Sequence, residues 1–149
     1  MVQLARHEVV IQAPASEVFS QLTTVDGLLS WIAVDATADA VPGGELSWTH
    51  ENGATMQGRF IQLDPPRRLV IAYGWKDDLM GVPPESTTVS IELTEEAGVT
   101  TLKLVHSSLP PDSIPDHNQG WVFFLDKLRV SLAAIERPND PLEPVIPTR

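Results

Sequence analysis

The sequence predicts a single α+β domain in which a seven-stranded antiparallel sheet curves around one long C-terminal helix. Six short β-rich segments follow one another after residue 33, separated by turn-forming stretches such as PGG, ENGA and DPPR. A strong helical repeat of apolar side chains then occupies residues 113–135. With 149 residues, of which 42% are apolar, the chain is long enough to form one hydrophobic core.

The first predicted elements are a strand and two short helices. Leu4 to Gln12 is rich in Val and Ile and ends at Ala13-Pro14, as expected for a strand that is closed by a turn. Ser16 to Leu22 and Val25 to Ile32 carry apolar residues at helical spacing. We therefore expect two short helices between the first and the second strand.

The six remaining strands are predicted from alternating or continuous β-rich patterns. Most are separated only by short turn sequences, which indicates an antiparallel meander. The connection KDDLMGVPPES is longer and more apolar than an ordinary turn. In chain order the predicted strands are Val34 to Asp39, Glu45 to Thr49, Thr55 to Leu63, Arg68 to Trp75, Thr87 to Thr94 and Val99 to Ser107.

The last helix is predicted to begin at Ser113 and to end before Pro138. Ser113 and Asp116 have the spacing of a capping box, and Pro115 lies in the first turn, where its missing N–H costs no hydrogen bond. One stripe of apolar residues on this helix is expected to pack on the sheet. It consists of Trp121, Phe124, Leu125, Leu128, Leu132 and Ile135.

A second, smaller apolar patch lies on the opposite side of this helix and consists of Phe123, Val130 and Ala134. Two interpretations are open. The proline-rich tail, residues 138–149, can lie extended across the patch, because its prolines forbid a helix. Alternatively, the patch is a contact between two copies of the chain, which makes a homodimer a candidate assembly. The domain itself is expected to span residues 1–137.

Composition excludes several classes of function. The chain has no cysteine, so disulfides, thiolate metal sites and a thiol nucleophile are excluded. A formal net charge of −10 argues against a nucleic-acid partner, which needs a basic face. No apolar run is long enough to cross a membrane, and the first residues do not resemble a signal peptide. We therefore expect a cytoplasmic protein with no membrane partner.

Motifs for catalysis, cofactors and metals are also missing from the sequence. The four histidines lack the spacing of metal ligands. There is neither a nucleophile elbow nor a glycine-rich phosphate loop that follows a strand and opens a helix. We therefore expect no metal, no cofactor and no assigned catalytic residue.

A single long helix cannot fill one face of such a sheet, so either large side chains plug the space or a cavity remains. The period of two along each strand identifies the side chains that point toward the helix. Many of them are aromatic and carry a polar tip, which suits a planar apolar ligand. The predicted ligand-binding residues are Trp31, Trp48, Met56, Phe60, Ile71, Tyr73, Trp75, Ile91, Leu104, His106, His117, Trp121 and Phe124.

Two histidines are the polar candidates of this set. His106 shares a strand face with Leu102 and Leu104. It is either a core histidine, bonded to a backbone carbonyl or to Tyr73, or a catalytic or ligand-binding group. His117 lies near a helix N-terminus, which disfavours its protonated form. It is either exposed at the helix end or offers one hydrogen bond to a ligand.

The connection KDDLMGVPPES also has two interpretations. Leu79, Met80 and Val82 make it apolar, and Gly81 gives it a position at which it can flex. It is either a lid over the cavity or a packed loop.

Five segments together resemble the SRPBCC, or START-like, superfamily, in particular small bacterial members of the branch similar to the activator of the heat-shock-ninety chaperone ATPase. They are IQAPASEVFSQLTTVDGLLSWI, VPGGELSW, MQGRFIQLDPPRRLVIAYGW, TTLKLVHSSLP and HNQGWVFFLDKLRVSL. The resemblance implies a helix-grip fold with a mostly apolar cavity between helix and sheet. It also implies hydrophobic ligands, because members of the superfamily bind lipids, sterols, polyketides and similar molecules.

Three functions are compatible with these observations. The first is a carrier or sensor that binds an aromatic or lipid-like molecule in the cavity. The second is an enzyme of the cyclase or aromatase kind, in which His106 or His117 moves a proton and Tyr73 orients the substrate. The third is a co-chaperone or stress-related interaction module. Eukaryotic co-chaperones of the family carry a separate chaperone-binding domain, which we do not expect within these 149 residues.

Overall fold

The computed structural model describes residues 4–133. The predicted tail, residues 138–149, and the helix positions Ala134 and Ile135 lie outside this range. The strands are β1 (Leu4–Ile11), β2 (Asp35–Ala38), β3 (Glu45–Thr49), β4 (Thr55–Asp64), β5 (Arg68–Tyr73), β6 (Thr87–Glu96) and β7 (Val99–Ser107). The helices are α1 (Ala15–Thr23), α2 (Val25–Leu29) and α3 (Ile114–Ala133).

The seven strands form one antiparallel sheet in the order β1-β7-β6-β5-β4-β3-β2. From β2 to β7 each strand pairs with the next one along the chain, as the short turns predict. β1 pairs with β7, so that Leu4 lies opposite Ser107 and Ile11 opposite Thr100. α1 and α2 lie in the connection between the two edge strands, and α3 packs along β1. The predicted α+β fold, with its two short helices and its long last helix, is confirmed.

The core lies between one face of the sheet and α3. Every second residue of β5, β6 and β7 is buried along most of each strand, which matches the predicted period of two. On α3 the buried positions follow the helical repeat. Trp121, Leu125, Leu128 and Leu132 are each no more than 5% exposed. Burial of this apolar surface is the main force that holds the helix on the sheet.

The start of α3 differs from the predicted capping box. Pro111–Ser113 forms a 3-10 turn, and the helix begins at Ile114. The Ser113 backbone N–H and hydroxyl both donate to the Pro110 carbonyl, at 2.9 and 2.8 Å, and neither bonds to Asp116. The predicted capping box was wrong because the turn that begins at Pro110 takes the Ser113 backbone N–H, which a capping box would give to the Asp116 side chain.

The end of β5 also differs from the sequence prediction. The strand stops at Tyr73, and Trp75 meets Met56 only through an isolated bridge. Gly74 lies against the backbone of Pro83, so close that an added Cβ would come within 1.9 Å of the Pro83 carbonyl oxygen. The Gly74 carbonyl still accepts from Gln57 of β4, but the next backbone N–H, that of Trp75, donates to the Val82 carbonyl of the returning loop.

The outer face of α3 carries exposed apolar side chains. Val122, Phe123 and Val130 are 63%, 56% and 49% exposed within the described residues. This agrees with the predicted position of the second apolar patch. Whether the tail or a second copy covers the patch stays open, because residues 134–149 lie outside the described range.

Within residues 4–133, no helix is both long enough and apolar enough to cross a membrane.

Candidate functional site

A pocket of about 340 Å³ opens at one end of α3. Its walls come from the turn between β3 and β4, the end of β5, the loop that follows β5 and the first half of α3. The lining residues are Ile32, His50, Glu51, Asn52, Ala54, Tyr73, Trp75, Leu79, Met80, Asp116, His117, Gly120, Trp121 and Phe124. The size is in the range of small-molecule sites in proteins.

Five of the predicted ligand-binding residues line this pocket, namely Tyr73, Trp75, His117, Trp121 and Phe124. Five others surround a separate inner void of only about 20 Å³, which Trp121 also borders. These are Trp31, Trp48, Ile71, Ile91 and Leu104.

The remaining three predicted residues, Met56, Phe60 and His106, are fully buried and line neither space. The inner half of the space between helix and sheet is therefore packed, and room for a ligand remains at the open end.

Three of the four tryptophan indoles donate hydrogen bonds to histidine rings. An indole N–H is only a donor, so each of these histidines accepts through an unprotonated ring nitrogen. The pairs are Trp48–His50, Trp75–His117 and Trp121–His106, each with an N···N distance of 3.0 Å.

Both ring nitrogens of His106 are used inside the core. Nδ1 accepts the Trp121 indole, so the ring proton lies on Nε2 and is donated to Thr87 Oγ1 at 2.8 Å. The Thr87 hydroxyl in turn donates to the backbone carbonyl of Tyr73 at 2.7 Å. This geometry matches the first interpretation, a core histidine. Its partners are the Thr87 hydroxyl and the Trp121 indole, not the expected backbone carbonyl or Tyr73.

His117 is likewise occupied at both nitrogens. Nδ1–H donates to the Ser113 carbonyl at 2.7 Å, while Nε2 accepts the Trp75 indole. The side chain is buried, with only 4% exposed, so it does not lie free at the helix end. It fixes the indole of Trp75 as a wall of the pocket.

The histidines around the pocket are uncharged at neutral pH. Burial lowers the pKa of His106 to about 3, and the nearby imidazoles add to this shift. Burial lowers the pKa of His50 to about 4. It also lowers the pKa of His117, although the Ser113 carbonyl and the Asp116 carboxylate act in the opposite direction. Three neutral imidazoles in one cluster make the interior of the site polar but not cationic.

These pKa shifts predict a loss of stability in mild acid. In the unfolded chain a histidine takes up its proton near pH 6.5, whereas folded His106 does so only near pH 3. Between these values the unfolded state binds more protons, so the free energy of unfolding falls as the pH falls. His106 alone should contribute a slope of about 1.4 kcal/mol per pH unit in the middle of this window.

Urea unfolding at several pH values between 7 and 4 measures this slope. In the His106→Gln variant the amide does not titrate, so unfolding should take up nearly one proton fewer. The slope of the unfolding free energy against pH should therefore be smaller by about 1.4 kcal/mol per pH unit. Equal slopes in the two proteins would mean that His106 takes up its proton in the folded state as readily as in the unfolded state.

Tyr73 differs from the two buried histidines, whose ring nitrogens are all hydrogen-bonded. Its side chain is 4% exposed and lines the pocket, and burial raises the pKa of its phenol. Its ring is held edge-on against neighbouring rings, with centroid distances of 4.5 Å to His106 and 5.7 Å to Trp75. Yet no residue of the range 4–133 forms a hydrogen bond with the Tyr73 hydroxyl. A buried hydroxyl without a partner is rare and costly in a protein.

The loop Lys76–Gly81 forms the outer wall of the pocket. Its ends are joined by a hydrogen bond of 2.9 Å from the Trp75 backbone N–H to the Val82 carbonyl, and the Val82 side chain is fully buried. Leu79 and Met80 line the pocket while 43% and 39% exposed. The loop is thus anchored by packing at its base and presents apolar tips to the pocket, and its movement as a lid stays a prediction.

The charge at the pocket is negative. Glu51 and Asp116 are exposed carboxylates of the lining, and no lysine or arginine belongs to it. Within the described part of the chain, no three His, Asp or Glu side chains lie close enough to hold a metal ion.

Sequence reasoning missed the contribution of the β3–β4 turn. His50, Glu51, Asn52 and Ala54 all line the pocket. His50 could have been found, because it lies two residues after Trp48 and so continues the inward face of β3. The turn residues that follow carry no such periodic signal, and only the fold brings them opposite α3.

The family comparison agrees with this architecture. A family model described as "Activator of Hsp90 ATPase homolog 1-like protein" matches residues 12–133. Among curated proteins, none matches the chain.

Several solved structures share the fold. DynU16, from the dynemicin biosynthetic locus, superposes with a TM-score of 0.75 at 23% identity, over 88% of this chain and 47% of DynU16. The chain therefore spans about half the length of DynU16. Protein MLL2253 from Mesorhizobium loti gives a TM-score of 0.77 at 19% identity, over 91% and 100% of the two chains. The Aha1 dimer from Colwellia psychrerythraea gives 0.74 at 24% identity, over 89% and 97%.

Proposed function

Because the chain belongs to the activator of Hsp90 ATPase homolog 1-like family of the SRPBCC superfamily, we propose that it binds a hydrophobic aromatic small molecule in the pocket at the open end of α3. In this role the protein is a carrier or sensor. The observation that carries the proposal is an open pocket of about 340 Å³ that is lined by the aromatic rings of Tyr73, Trp75, Trp121 and Phe124.

The pocket walls are well suited to a planar ligand. Trp75, Trp121 and Phe124 supply large apolar surfaces that are already held in place by the core. Aromatic rings of this kind stabilise a bound ring by burial and by stacked or edge-on contacts. Because two of the walls are fixed by indole–imidazole hydrogen bonds, little side-chain freedom is lost when a ligand binds.

The geometry favours binding over proton transfer. The cyclase or aromatase alternative requires His106 or His117 to exchange a proton with a substrate. Both rings already use both nitrogens in hydrogen bonds to protein groups. His106 is also fully buried and absent from the lining of this pocket, and its ring packs against those of Tyr73 and Trp121.

A contact with a second copy of the chain would use the outer face of α3 and not the pocket. The Colwellia psychrerythraea protein is described as a dimer. For the present chain, the predicted homodimer contact is the patch of Phe123, Val130 and Ala134, of which Phe123 and Val130 are exposed and Ala134 lies outside the described residues. No feature of the described residues adds support to a chaperone contact.

A pocket-filling variant tests the proposed function. Gly120 lines the pocket from α3, and a Cβ added there meets no atom within 4 Å. We expect Gly120→Leu to weaken binding of the neutral fluorescent probe N-phenyl-1-naphthylamine about tenfold or more, because the new side chain takes the place of the ligand. Stability should not fall, because leucine is a better helix former than glycine.

The matched control is Gln119→Leu, which adds the same side chain one residue earlier at an exposed position. It should keep the wild-type affinity, measured by fluorescence titration. If Gly120→Leu binds the probe as well as the wild type does, the probe lies outside this pocket and the proposal is wrong.

A further inference from the structure

We infer that the ligand of this pocket is an uncharged aromatic molecule with a hydroxyl or carbonyl oxygen that hydrogen-bonds to the Tyr73 hydroxyl. The inference rests on the proposed function, because it specifies the chemistry of the molecule that fills the same pocket. It is carried by three features of the site, namely an unpaired phenol, a second free donor and the absence of a cation.

The first feature is the unsatisfied hydroxyl of Tyr73. The other polar side chains packed around it are paired: His106 with Thr87 and Trp121, and His117 with Ser113 and Trp75. Tyr73 is only 4% exposed, and its hydroxyl has no partner among residues 4–133. Buried polar groups are nearly always hydrogen-bonded, so a phenol of this kind at a pocket wall indicates that its partner comes from the ligand.

The second feature is the free nitrogen of His50. Its Nε2 accepts the Trp48 indole, so the neutral ring carries its proton on Nδ1. No residue of the described chain accepts from this N–H. His50 packs against Trp75 and Phe124, with ring centroids 5.4 and 4.9 Å away, and so belongs to the aromatic wall. His50 is only half-buried, so water can satisfy this second donor, whereas the buried Tyr73 hydroxyl depends on the ligand.

The third feature is the charge of the lining. Lysine and arginine are both absent from it, while Glu51 and Asp116 place two carboxylates at its edge. The interior histidines are neutral and already hydrogen-bonded to indoles. A ligand carboxylate or phosphate would lose its hydration without gaining an opposite charge. Fatty acids and phospholipid headgroups are thus disfavoured relative to uncharged ring systems.

Pairs of probes of equal shape separate these features. The first pair is 1-naphthol and 1-methylnaphthalene, which differ by one hydroxyl. The second pair is 1-naphthamide and 1-naphthoate, which differ by one charge. Isothermal titration of the full chain and of Tyr73→Phe gives the affinity of each probe. The Tyr73→Phe change removes only the unpaired hydroxyl, so its unfolding midpoint without ligand should equal or exceed that of the wild type.

We expect the wild type to bind 1-naphthol about fivefold to tenfold more tightly than 1-methylnaphthalene, which is the effect of one net hydrogen bond. In Tyr73→Phe this preference should disappear, while the affinity for 1-methylnaphthalene stays the same. The wild type should bind 1-naphthoate at least about tenfold more weakly than 1-naphthamide.

Equal affinities for 1-naphthol and 1-methylnaphthalene in the wild type would overturn the inference and leave the proposed function intact. So would a preference for 1-naphthol that persists in Tyr73→Phe. Tighter binding of 1-naphthoate than of 1-naphthamide would contradict the charge argument. If none of the four probes binds, the proposed function itself fails, and the inference fails with it.

Discussion

Replacing His106 by leucine is expected to lower the free energy of unfolding by about 3 kcal/mol. The side chain is fully buried and joins the Trp121 indole to the Thr87 hydroxyl. Leucine has a comparable volume but cannot accept from the indole, so a buried donor loses its partner and pays its full desolvation cost. Thr87 keeps its bond to the Tyr73 carbonyl, which limits the loss to one side of the ring. Urea unfolding measures the change.

A double-mutant cycle separates the hydrogen bond from simple packing. Trp121→Phe removes the donor that His106→Leu leaves unpaired. The double variant should therefore be more stable, by about 1–2 kcal/mol, than the sum of the two single changes predicts. Strict additivity would show that the indole and the imidazole do not depend on each other. In that case the indole–imidazole pair does not fix the wall of the pocket.

Replacing Gly74 by alanine is expected to cost about 3 kcal/mol of stability and to displace the loop Lys76–Gly81. An added Cβ would lie 1.9 Å from the Pro83 carbonyl oxygen and 2.6 Å from Pro84 Cα, both of which are backbone atoms. No side-chain rotation relieves such a clash, so the two segments must separate. Because Tyr73 and Trp75 flank this glycine, the shift also moves two walls of the pocket.

Unfolding in urea and tryptic cleavage after Lys76 report the two effects of Gly74→Ala separately. Gly120→Ala is the control, because a Cβ there meets nothing within 4 Å and alanine favours a helix. It should be as stable as the wild type or more so. If Gly74→Ala has wild-type stability and its loop is no more readily cleaved, the close approach to Pro83 is not needed for the fold.

The order and type of the elements followed from the residues because their patterns are local. The period of two in β6 and β7 and the helical stripe of α3 arise from side chains a few positions apart. The errors lie at the ends of elements, where turns and loops compete for backbone hydrogen bonds. The Trp75 backbone N–H donates to Val82 in the loop after β5, and the Ser113 backbone N–H donates to Pro110 in the turn that precedes α3.

The candidate site was predicted less completely than the fold. Tyr73, Trp75, His117, Trp121 and Phe124 were expected in the cavity and do line the pocket. A pattern of alternation shows which side chains point inward, but not whether they meet one another or leave a space. The packed inner half of the expected cavity was therefore not predictable.

The sequence by itself determined that this chain folds as one sheet and one long helix with an aromatic interior, because burial of periodic apolar residues is sufficient to select that arrangement. Only the tertiary structure decided which indole meets which imidazole, and it placed the pocket at the open end of α3. The bonds that fix the pocket walls join Trp75 to His117 and His106 to Trp121, which are 42 and 15 positions apart. The volume of a pocket is the small part of the space between helix and sheet that the packed side chains do not fill. It depends on the position of every side chain around it, which only the folded structure gives.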